Sequence, residues 1–110
     1  MANKYERARL VPDPDVDTLL YLTPPATATI CRSLRITNTN TTRAEITLTQ
    51  TDEDNNITIK LLDQHVIAPR SEYDALNGVP LNLMAGDLLS ATSTASGVHF
   101  YLSYVEVDRN

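Results

Sequence analysis

The chain has 110 residues, 42% hydrophobic and 21% charged, with a net charge of −5. That length gives one domain able to bury about 65% of its unfolded surface, and that composition excludes a disordered chain. The acidic balance excludes a nucleic-acid partner, which needs clustered Lys and Arg; the lone Cys31 excludes an internal disulfide; and no apolar run approaches the ~20 residues of a membrane span.

Residues 1–17 differ in character from the rest. Lys4, Arg7 and Arg9 make the start basic, Asp13, Asp15 and Asp17 make the next piece acidic, and no apolar h-region marks a signal peptide. Pro12 and Pro14 remove backbone donors and bias the chain to an extended form. The segment reads as an extended N-terminal arm (1–17) ahead of a β domain (18–110). A solvated tail has no need of Tyr5, Leu10 and Val11, so the arm is expected to order on a partner. Deleting residues 2–11 is then expected to leave a folded domain.

Short strands follow. Leu19 to Thr23 is an apolar run stopped by Pro24-Pro25. Thr29 to Asn38 places Ile30, Leu34 and Ile36 on one face, and Cys31, Ser33, Arg35 and Thr37 on the other. Residues 38–42, Asn-Thr-Asn-Thr-Thr, form a turn, because Asn tolerates left-handed backbone and its side chain mimics turn hydrogen bonds. Ala44 to Thr51 alternates, with Ile46 and Leu48 to one side; after the acidic loop Asp52–Asn56, Ile57, Ile59 and Leu61 are in phase. Further strands are expected near residues 64–67, 72–76, 81–83, 88–94 and 98–107, the last with Val98, Phe100, Leu102 and Tyr104 on one face. Period-2 alternation, frequent turn signals and fourteen threonines give an all-β fold, an antiparallel β-sandwich of about eight strands.

No chemistry-bearing motif survives inspection. His65 and His99 lack ligands at metal-binding spacing. The run from Asp13 to Asp17 opens like a calcium loop but has Thr18 where Gly is required and Pro24 where a bidentate Glu is required. Cys31 lies mid-strand, as a small core residue does. Glycine occurs only at 78, 86 and 97, so no phosphate-cradling loop exists, and there is no G-x-S-x-G elbow. No cofactor or metal is expected. Arg32 and Arg35, on one strand, either meet an acidic partner or shield a sheet face.

The segments Ile30-Cys-Arg-Ser-Leu-Arg-Ile-Thr-Asn38 and Ile46-Thr-Leu-Thr49 are joined by the Asn-Thr turn. After them come Ile67-Ala-Pro69, Tyr73-Asp-Ala-Leu76, Gly78, Leu81-Asn-Leu83, Ala85-Gly-Asp87 and Ser103-Tyr-Val-Glu-Val107. Over residues 29–107 this order of turns and strands resembles small phage virion proteins, most of all the acidic decoration (cement or staple) proteins of short-tailed phage capsids. The resemblance implies a jelly-roll-like sandwich, made in the host cytoplasm and bound to the outer capsid surface. There it would bridge major capsid protein subunits and self-associate as a dimer or trimer about a capsid symmetry axis. Lys4, Tyr5, Arg7, Arg9, Leu10, Val11, Arg32 and Arg35 are the candidate partner-binding residues. A neck or tail accessory protein, and a carbohydrate-binding module of a host-recognition fibre, are the alternatives.

Overall fold

A computed structural model describes residues 3–108. Among them there is no helix, and nine strands form: β1 (Asn3–Leu10), β2 (Thr18–Leu22), β3 (Thr27–Asn38), β4 (Ala44–Asp52), β5 (Ile57–Ile67), β6 (Glu72–Asp74), β7 (Leu81–Leu83), β8 (Asp87–Ser93) and β9 (Val98–Asp108). They pair into two antiparallel sheets, β1-β9-β3-β6 with β7 also on β3, and β2-β8-β4-β5. The pairings nest: β1 with β9, β2 with β8, β3 with β6 and β7, β4 with β5. A long hairpin rolled up in this way is a jelly roll. β6 and β7 take separate stretches of one edge of β3, opposite Arg35–Thr37 and Thr29–Cys31, so the nine strands fill eight positions.

Period-2 alternation decides what lies between the sheets. Val98, Phe100 and Leu102 on β9 meet Leu34 and Ile36 on β3, with Ile46 and Leu48 on β4 and Leu89 and Ala91 on β8, all essentially without solvent contact. Each large apolar side chain buried here contributes about 1.5–3 kcal/mol. The outward pleat of the second sheet carries the hydroxyls: Thr47 and Thr49 face Thr92 and Ser90, with Thr49 Oγ1 2.8 Å from Ser90 Oγ. At one end of the core Tyr21 and Tyr104 lie ring to ring, 4.5 Å between centroids. The Tyr21 hydroxyl donates to Glu106 Oε2 at 2.6 Å and lies 2.7 Å from Thr29 Oγ1.

Three expectations are corrected. Residues 3–10 are not set apart from the sandwich: β1 runs along β9 from Asn3 opposite Val107 to Leu10 opposite Phe100. Ala8 and Leu10 pack against the core, and Pro12 is buried where the chain leaves for the second sheet. An extended bias suits an arm and an edge strand equally, so the prolines did not distinguish them. Second, the phase of β3 shifts. A bulge between Cys31 and Ser33 turns Cys31 inward, fully buried, and leaves Ile30 outward and 38% exposed. Third, residues 57–62 and 64–67 form one strand, β5, continuous through register shifts opposite Ile46–Thr49, with Gln64 at φ 52.

The Asn38 turn forms as expected, through the side chain. Asn38, fully buried, donates from Nδ2 to Thr42 O and Ile67 O (2.9 and 3.2 Å) and accepts at Oδ1 from Asn40 N (3.0 Å). Gly97 closes the β8–β9 connection at φ 71, where an added Cβ would lie 2.9 Å from Thr39 Oγ1.

Candidate functional site

Bulge, register and alternation together assemble one face. On β1 the odd residues Tyr5, Arg7 and Arg9 stand opposite Val105, Ser103 and Tyr101 of β9. Those in turn stand opposite Ile30, Ser33 and Arg35 of β3, and Arg35 faces Asp74 of β6. Directly opposed residues share a face of the sheet, so these rows form the outer surface of the first sheet. The β3 bulge adds Arg32 to it, its guanidinium 5.9 Å from the centre of the Tyr5 ring, within cation–π range. Val105, 8% exposed, is buried apart from the inter-sheet cluster, opposite Tyr5 and Ile30.

The column Tyr101–Ser103 divides the surface into two open clefts of about 600 Å3 each. The β1-side cleft is lined by Tyr5, Glu6, Arg7 and Arg9. The β6-side cleft is lined by Ser33, Arg35, Thr37, Glu72, Asp74 and His99. Arg35 and Glu72 lie across the latter at 3.8 Å with both side chains well exposed, an ion pair of small energetic weight.

Of the eight candidate residues, Tyr5, Arg7, Arg9, Arg32 and Arg35 meet on this one face. The other three do not. Lys4 takes the opposite phase, beside Glu106; Leu10 turns onto the core opposite Phe100; and Val11 lies past the strand end, 57% exposed. Sequence reasoning missed Tyr101, His99, Ser103, Glu72 and Asp74. Tyr101 and His99 were legible as the outward partners of Phe100 in an alternating strand; the short β6 offered no such signal.

The other reactive groups have structural surroundings. Cys31 is completely buried, and burial pushes its thiol up to about 12. The Tyr21 hydroxyl is raised well above its ordinary value by burial first and then by its bond to Glu106, and Tyr104 is raised by burial and the carboxylates of Glu106 and Glu6. His65 stacks on Tyr73 at 4.1 Å. Among the described residues no group of three or more His, Cys, Asp or Glu is placed to hold a metal ion.

No protein-family model matches the chain, and no curated protein does. Solved structures do. A structure of infectious bursal disease virus Gx strain superposes with a TM-score of 0.51 at 10% identity, over 96% of this chain and 30% of that one. The likeness is one of fold. A pentameric capsid protein isolated from metagenomic phage sequences gives 0.43 at 18% identity, over 91% of this chain and 58% of that one. A second structure under that name, solved by iodide phasing, gives 0.40 at 18%, over 93% and 60%. The chain thus spans less than two thirds of the length of each.

Proposed function

We propose that the chain is a structural protein of the phage virion, a decoration (cement) protein that binds the outside of the assembled capsid and bridges major capsid protein subunits. The observation that carries this reading is the grouping of Tyr5, Arg7, Arg9 and Arg32 on one rigid sheet face of a chain whose net charge is −5. Arginine and tyrosine are the residues that interfaces favour, and here the strand ladder fixes their backbones before any partner arrives. The jelly roll is a fold of viral capsid proteins, which supports the reading without specifying the function, since the same architecture serves lectins. The arginines would meet acidic groups on the capsid, while the exposed Tyr5 and Ile30 supply an apolar end to the contact.

The mechanism is mass action. A protein that binds only the assembled lattice stabilises it by its binding free energy, repeated at every equivalent site. The same reading has the protein associate with itself, as a dimer or trimer about a capsid symmetry axis. The test adds wild-type protein, and separately the triple variant Arg7→Glu, Arg9→Glu, Arg32→Glu, to particles lacking it. Retention after sedimentation and resistance of the particles to heat should be conferred by the wild type and lost in the variant. Equal retention of both would overturn the role of this face, and a virion copy number far below that of the major capsid protein would favour a neck or tail position.

A further inference from the structure

The β6-side cleft lies beyond the Tyr101–Ser103 column from the arginine row, and its chemistry is different. Glu72 and Asp74 present carboxylates, Arg35 and His99 present nitrogen donors, and Ser33 and Thr37 present hydroxyls. These side chains stand on three paired strands: Arg35 of β3 opposite both Tyr101 and Asp74, and Thr37 opposite both His99 and Glu72. Asp74 is further oriented because its Oδ1 accepts the Leu76 N–H at 3.1 Å. Arg35 and Glu72, at 3.8 Å, are too far apart to saturate each other by a direct hydrogen bond. The ring of Tyr101, 42% exposed, stands at the boundary of the cleft as an aromatic wall.

We infer that this cleft is a binding site for a neutral saccharide. Its volume, about 620 Å3, falls within the range of about 300–1,000 Å3 that small-molecule sites occupy. Paired ring hydroxyls donate to the carboxylates and accept from the guanidinium, bonds that are charge-assisted on the protein side, and the imidazole and hydroxyls add neutral ones. The carbon face of the ring lies on Tyr101, the apolar surface offered beside those polar groups. Other ligand classes fit less well. A phosphate or an acidic peptide would face two carboxylates, and a lipid would leave the charged groups desolvated and unpaired. Tyr101 and Ser103 border both clefts, but Arg7 and Arg9 line only the β1-side one, so saccharide binding does not depend on those arginines.

The experiment titrates the isotope-labelled full chain with a panel of neutral trisaccharides built on glucose, mannose, galactose and N-acetylglucosamine, following backbone amide shifts. At least one should give saturable shifts centred on Arg35, Glu72, Asp74, His99 and Tyr101, at about millimolar affinity. Tyr101→Ala and Asp74→Asn should each weaken binding about tenfold or more with unchanged circular dichroism. Arg7→Glu with Arg9→Glu should leave saccharide binding intact, which separates this site from the docking face. The inference is overturned if no trisaccharide gives saturable shifts, if shifts map elsewhere, or if both cleft variants bind as wild type does. It is equally overturned if an oligoglutamate peptide alone saturates the cleft.

Discussion

Asn38 organises more of this protein than any charged residue does. Its buried amide ties the end of β3 to Thr42 O in its own turn and to Ile67 O at the end of β5, so one side chain joins the two sheets at their shared corner. Asn38→Asp replaces a donating NH2 with an oxygen and leaves buried carbonyls unpaired. A loss of about 2 kcal/mol or more in denaturant melts is expected; one below about 0.5 kcal/mol would show the corner does not depend on this amide. Phe100, 1% exposed and surrounded by both sheets, should cost about 3–5 kcal/mol as Phe100→Ala. A third expectation concerns pH. Cys31 is an acid held protonated by the fold, its thiol raised from 9.0 to about 12. Between those values the folded chain binds the proton that the unfolded chain releases, so the contribution of Cys31 to stability is level below about pH 9 and falls as pH rises through that window. Tyr21 and Tyr104, also raised, act in the same direction at higher pH. Melts from pH 7 to 11 should show the decline, with a shallower slope for Cys31→Ala; an identical slope would remove Cys31 as a cause.

At the scale of strands, β1 shows what an edge demands. It covers one side of β9 with eight paired residues and sets Ala8 and Leu10 on the core. Deleting residues 2–11 would uncover a row of backbone donors and acceptors on β9, a template for pairing with other chains. The truncated protein is therefore expected to melt earlier and to aggregate, opposite to what an independent arm would do. A truncation as stable and monomeric as the full chain would contradict the register described. Why β1 was misread in the sequence is a matter of distance. Tyr5-Arg7-Arg9 and Ala8-Leu10 do alternate, but the strand that gives the alternation meaning lies about a hundred residues away. β9 itself was legible, because Val98, Phe100, Leu102 and Tyr104 carry the pattern without interruption. The β3 bulge was not: Ile30 has the same parity as Leu34 and Ile36, and nothing in Cys31-Arg32-Ser33 announces an extra residue. The candidate face shares that history, since Arg32 joins it only through the bulge and Glu72 and Asp74 only through a three-residue strand.

For the molecule as a whole, the topology sets a folding cost. β1 must find β9 and β2 must find β8 across most of the chain, so large loops close before their contacts form. Folding followed by stopped-flow circular dichroism should take milliseconds to seconds, as non-local β topologies do; microsecond folding would be inconsistent with this strand order. The spectrum should be β-rich, with helix far below the average of about a third. The register of β1 against β9 has one more consequence. Asn3 lies opposite Val107, so the first and last described strands run side by side, about 5 Å apart, at one end of the molecule. A short glycine-serine linker between residues 3 and 108 would bridge that gap without strain. New ends could then be opened at Gly78, an exposed position at φ 78 with no neighbouring atom within contact of an added Cβ. Such a circular permutant should keep all nine strands and move the point of attachment for any fused cargo from the β1–β9 end to the β6–β7 loop.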